Sequence, residues 1–88
     1  MLYTKRESLS WAFNENKVTI KDEASGFFFP LNDVGSLIWD MIDGVNEKED
    51  IVQEITRCFA VTKDIAEKDV EEMINSMLDY DLIESVNP

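Results

Sequence analysis

Leu9, Trp11 and Phe13 alternate with Ser10, Ala12 and Asn14, and Val18 and Ile20 alternate with Lys17, Thr19 and Lys21. A period of two marks a strand with one buried face, so both stretches are predicted strands joined by a tight connection at Glu15-Asn16. Turn-forming residues run from Asp22 to Gly26, after which Phe27, Phe28 and Phe29 favour a third strand that Pro30 ends. Short connections place sequence neighbours side by side, which makes the three strands an antiparallel meander.

The period then changes. Asn32 caps a predicted helix from Asp33 to Ile42 with Val34, Leu37, Ile38, Met41 and Ile42 on one face, while Trp39 lies off that stripe and is expected to close a seam. Beyond Gly44, Asn46 with Glu49 resembles a capping box, and a second helix runs to about Phe59. Its inner face is Ile51, Val52, Ile55, Cys58 and Phe59, so Cys58 is expected to be a small buried group. Thr62 caps a third helix, Lys63 to Tyr80, and Leu82-Ile83 finishes against the core. At about 100° per residue, Tyr80, Met73, Met77, Val70, Ile74 and Leu78 sweep roughly 160°, wider than one packing surface requires, so one edge of this helix is expected to be partly free. The predicted class is α+β, a three-stranded antiparallel sheet followed by three helices. One domain covers residues 9–84, and residues 1–8 are a flexible tail with at most an edge contact.

In such a meander the third strand pairs with the second and its other side is open. Natural edges usually carry a charge or a bulge that discourages pairing, yet from Ala24 to Asn32 there is no charge. Alternation directs Phe27, Phe29 and Leu31 to the core face and Phe28 away from it. An uncharged aromatic edge invites a guest strand; the plainer alternative is that these residues only line the core and the last helix covers the edge.

Composition narrows the function. At 88 residues and 44% apolar content the chain holds one small core, and Cys58 has no partner for an internal disulfide. A reducing, cytoplasmic setting is the expectation, since no apolar run has secretory or bilayer-spanning length. A net charge of −11 opposes binding to nucleic acid and to anionic membranes. With no His, no Gly-rich phosphate loop, no nucleophile elbow and no Cys pair, no catalytic residue, metal site or cofactor is expected. Asp43-Gly44-Val45-Asn46-Glu47 lacks the ligand spacing of a calcium loop. The chain reads as a binding module. Two alternatives compete. Gly35-Ser36-Leu37 resembles the site at which acyl and peptidyl carrier proteins hold a phosphopantetheine arm, although no acid directly precedes Ser36. A winged-helix regulator suits the arrangement of elements, but a recognition helix as acidic as Lys63 to Tyr80 would repel phosphates.

Ser25-Gly26-Phe27-Phe28-Phe29-Pro30-Leu31-Asn32, followed by Gly35, Ile38-Trp39 and Asp43-Gly44, resembles the family of the pyrroloquinoline quinone biosynthesis protein PqqD. Ile51, Glu54-Ile55, Phe59-Ala60-Val61, Asp69-Val70, Met73-Ile74, Met77 and Leu82-Ile83 agree with that family's apolar positions, so the likeness covers about Ser8 to Glu84. The resemblance implies a winged-helix-like RiPP recognition element, which holds the leader of a ribosomally made precursor peptide and presents it to a modifying enzyme. It implies that the leader adds as an antiparallel strand to the third strand, at Phe27, Phe28 and Phe29, and enters a groove against the third helix. On one edge of that helix the contacts fall on Glu71, Ile74, Asn75 and Leu78; on the other, Met73, Ser76 and Tyr80 replace them. Asp81 stands where many members of the family have Gly, so the turn after the last helix is expected to be made by another residue. An open edge also allows a homodimer through the third strand or the tail.

Overall fold

A computed structural model describes residues 2–86, in the order β1 (Leu2–Lys5), β2 (Leu9–Asn14), β3 (Lys17–Asp22), β4 (Phe28–Pro30), α1 (Asp33–Met41), α2 (Lys48–Phe59), α3 (Lys63–Asp79) and β5 (Ile83–Val86). The three-stranded sheet has the expected order, β2-β3-β4, antiparallel throughout. Glu15 and Asn16 take φ of 54° and 68°, the left-handed values of a two-residue hairpin turn whose twist matches that of its strands. Trp11 and Phe13 lie opposite Ile20 and Val18 on one face, and Phe29 lies opposite Ile20 on the far side. That face meets α1, which in turn packs on α2 and α3.

Isoleucine and valine from every layer meet in the core: Val18 and Ile20 from β3, Ile38 from α1, Ile51 and Ile55 from α2, Val70 and Ile74 from α3. Trp39 is fully buried among them, in the seam where its position off the α1 stripe placed it, with Trp11 edge-on at 5.4 Å. Cys58 is a correction. It is exposed: α2 meets the core through Ile51, Val52 and Ile55 and, in the last turn, through Phe59 beside it.

Helix termini explain where the elements stop. Asn32 accepts the Gly35 N–H at 2.7 Å and Thr62 accepts the Ile65 N–H, as expected of N-caps. The start of α2 lies one residue later than the Asn46/Glu49 reading: Glu47 caps it and its N–H donates to Asp50. Asn46 is occupied elsewhere, donating from Nδ2 to the Met41 carbonyl and to Asp43, while the Val45 and Asn46 N–H groups converge on Asp43 Oδ1. Those N–H groups, Asn46 first, hold the Asp43 carboxyl below the usual carboxylate range.

Asp81 itself makes the turn after α3, at φ 58°, contrary to the expectation that another residue would. The Leu82 N–H donates to the Met77 carbonyl at 2.8 Å and the Asp81 N–H to Leu78 at 3.1 Å, the pairing of a Schellman cap. Asp is among the few residues that tolerate the left-handed region, which is why the family's glycine can be replaced here. The cap folds Leu82 and Ile83 back into the core and starts β5.

Residues 2–5 are the other departure from expectation. Of the expected tail, Leu2–Lys5 forms β1 and pairs antiparallel with β5, Leu2 opposite Val86 through Lys5 opposite Ile83; Met1 lies outside the described residues. Tyr3 accepts the Gly44 N–H through its carbonyl, and Lys5 Nζ donates to the Ile42 carbonyl at 2.6 Å while lying 5.4 Å and 5.1 Å from the Trp11 and Trp39 ring centres. Desolvation there lowers the Lys5 pKa, and Asp40 and Asp43 partly offset it.

Candidate functional site

Backbone pairing decides what β4 offers. The Asp22 N–H donates to the Phe27 carbonyl and the Leu31 N–H to the Val18 carbonyl, so Phe27, Phe29 and Leu31 turn their backbone groups towards β3. Phe28 and Pro30, between them, turn theirs outward. The free edge therefore presents both the N–H and the carbonyl of Phe28, and from Pro30 only a carbonyl, because proline has no N–H. Pro30 shortens the edge without closing it.

Ser36 holds that strand at its inner end. Its side chain is buried, its hydroxyl accepts the Val18 N–H at 2.8 Å, and it lies 3.5 Å from the Leu31 carbonyl, to which it donates. The hydroxyl thus sits in the ladder between β3 and the residue after β4, tying α1 to both. A buried serine with both hydrogen-bonding roles in use cannot carry a phosphopantetheine arm, which removes the carrier alternative.

Beside β4 runs an apolar groove of about 340 Å3, lined by Phe28, Phe29, Pro30 and Leu31 on the strand side and by Met73, Ser76, Met77 and Tyr80 on α3, with Leu82 at its base. The Phe29 and Tyr80 rings lie 5.5 Å apart across it. Gly35 brings α1 close: a Cβ there would stand 2.9 Å from Met73 Cε. No charged side chain lines the groove.

Of the residues expected at the site, the structure brings Phe28 and Phe29 to this groove. Phe28 faces away from the core as alternation requires, with Lys21 Nζ 5.7 Å from its ring centre. Phe27 is 68% exposed, precedes the first residue of β4 and does not line the groove. Ile74 is buried in the core, Leu78 packs against the core, Asn75 is exposed, and Glu71 pairs with Lys48 of α2. None of these four borders the groove; the edge of α3 that does is the other one, with Met73, Ser76 and Tyr80. Sequence reasoning missed Pro30, Leu31, Met77 and Leu82 as lining residues, of which Met77 and Leu82 are buried. The signal for the edge that borders the groove was present in Met73 and Tyr80, which mark one flank of the wide apolar arc.

A second open edge belongs to β2, where Trp11 and Phe13 are 42% and 57% exposed. Trp11 there lies edge-on against Trp39 of α1, and no residue of β2 lines the groove beside β4.

The fold is similar to that of two solved proteins. One was solved as TbiB1 in complex with the TbiA(beta) leader peptide, at 22% identity over 97% of this chain and 99% of that chain, with a TM-score of 0.85. The other is a lasso peptide synthetase B1 complexed with the leader peptide, at 22% identity over 97% of this chain and the whole of that chain, with a TM-score of 0.86. No curated protein matches the sequence. Among the described residues no helix is long and apolar enough to cross a membrane. Residues 17–83, more than half of the chain, match the model of the family described as coenzyme PQQ synthesis protein D, and the chain belongs to this PqqD family.

Proposed function

We propose that the protein is a RiPP recognition element that binds the leader of a ribosomally made precursor peptide by strand addition to β4 and presents it to a modifying enzyme. The observation that carries this reading is the open Phe28 edge lying directly beside an apolar groove on α3. Membership of the PqqD family and the likeness to two proteins solved with leader peptides support it.

The geometry specifies how a guest would sit. An antiparallel strand exchanges both hydrogen bonds between one of its residues and Phe28, and the residue two positions earlier donates its N–H to the Pro30 carbonyl. Guest residues opposite Phe29 and Leu31 then direct their side chains over α3, into the space between Phe29, Met73, Met77 and Tyr80. Main-chain bonds supply affinity that many sequences share; two apolar side chains at alternate positions supply selectivity. With the leader held, the attached core peptide is confined near the enzyme, and a weak contact between them becomes effectively intramolecular. In this reading the module has no catalytic role of its own and works in the cytoplasm, a setting that suits a single unpaired cysteine. A self-paired dimer through β4 would compete with the leader for the same edge.

The test is fluorescence anisotropy with a labelled synthetic leader of the precursor encoded beside the gene. Trp39 and Trp11 both lie outside the groove lining, so intrinsic tryptophan emission is a poor reporter. Ser76→Arg, which fills the groove, should weaken binding about tenfold or more, Phe28→Ala about two- to fivefold as a cross-strand pair is lost, and Asn75→Arg on the opposite flank should change it little. Equal binding by Ser76→Arg and wild type refutes this placement of the leader.

A further inference from the structure

We infer that the groove selects a peptide with a cationic side chain, Lys or Arg, just N-terminal to the segment that pairs with β4. This rests on the strand-addition reading above and adds a charge requirement to it.

The apolar groove does not end at Met73. Through Met73 and Ser76 it continues into a second hollow of about 320 Å3, bordered by Asn32, Val34, Asp69 and Glu72. Two carboxylates and no basic residue line this extension. Among the described residues neither Asp69 nor Glu72 makes an ion pair; the cations that do pair along this helix act on its α2 side, Lys48 with Glu71 and Lys63 with Glu49 and Glu67. The acids facing the groove are therefore unneutralised, in a chain whose net charge is already −11.

Direction follows from the strand. Tyr80 lies against Phe29, whereas Asp69 and Glu72 lie beyond Leu31, next to Asn32 and Val34. The acidic extension is thus at the C-terminal end of β4. A strand running antiparallel to β4 enters with its N-terminal part at that end. The residues just before the paired segment pass between α1 and the Asp69/Glu72 turn of α3, where an ammonium or guanidinium would meet two carboxylates and an acidic side chain would be repelled.

The experiment compares wild type with Asp69→Lys/Glu72→Lys and with Asp69→Asn/Glu72→Gln, using the same labelled leader, at about 50 mM and about 0.5 M salt, where the screening length has fallen to about 4 Å. Thermal melting confirms that both variants fold; Glu72 is exposed and Asp69 half-buried. The expected result is that charge reversal weakens binding about tenfold at low salt, the amides about threefold, with both gaps closing at high salt. Neutralising the basic residues of the leader should weaken binding to wild type, leave the amide variant unchanged and restore part of the affinity of the reversed variant. Wild-type binding that the variants match at low salt, or a bound leader with no Lys or Arg before its paired segment, overturns the charge requirement and leaves strand addition standing. No binding to wild type at all overturns the strand-addition reading, and this inference with it.

Discussion

Replacing Ser36 with alanine tests the arrangement that positions β4. The hydroxyl accepts the N–H of Val18, a residue with no exposed surface, and bridges towards the Leu31 carbonyl. Removing it leaves a buried donor without its acceptor, which costs about 1–3 kcal/mol. For a chain of this size, whose total stability is on the order of 5–10 kcal/mol, 1 kcal/mol moves the melting midpoint by roughly 4–8 °C. Ser36→Ala should therefore melt roughly 4–24 °C lower. Thermal and urea unfolding followed by Trp39, which is fully buried, would measure the change, and amide exchange at Val18 would locate it. The opposing outcome is specific: if β4 simply moves in and the Val18 N–H bonds the Leu31 carbonyl directly, the midpoint holds within a degree or two and Val18 stays protected. That result would refute the view that the hydroxyl is an essential part of the ladder.

Further outcomes follow from the caps and the titrating groups. Ala60, the cap of α2, sits at φ 52°, and Ala60→Gly should stabilise the fold by about 0.5–1 kcal/mol, read as a higher urea midpoint. Asp81→Gly should gain less, since it also loses the exposed pairing of Asp81 with Arg6 at 3.6 Å. Asp43 has its folded pKa depressed by backbone N–H bonds, so its contribution is present above the unfolded value of about 3.9 and is lost as pH falls through the folded value. The stability difference between wild type and Asp43→Ala should accordingly shrink between about pH 5 and pH 2.5; a constant difference would show that the carboxylate charge plays no part.

Much of the architecture is legible along the chain because the periodicities are strong. The hairpin at Glu15-Asn16, the caps at Asn32 and Thr62 and the inward isoleucines each depend on a few neighbouring residues, and such local rules are readable in one dimension. Where they fail, a distant partner is responsible. Leu2–Lys5 has no pattern that demands a strand; it becomes one because β5 is returned beside it by the Asp81 turn. Cys58 has the spacing of a core residue and is exposed because its neighbour Phe59 makes the core contact of the last turn of α2. Phe27 belongs to the aromatic run and shares the parity of Phe29, yet at the outer end of β4 it stays exposed.

The candidate site divides in the same way. The uncharged aromatic stretch before Pro30, the over-wide apolar arc of the last helix and the acidity of the chain are properties of the sequence, and the first two already call for an open edge and a free helix flank. The flank of α3 that faces the edge, the outward pairing groups at Phe28 and Pro30, and the meeting of Met73 with Asp69 and Glu72 at one end of the groove are decided only by the tertiary structure. Helical periodicity ranks positions around an axis but leaves the rotation of that axis undetermined. Packing of Val70, Ile74 and Met77 on the core sets the rotation, and with it the side chains left to face a guest.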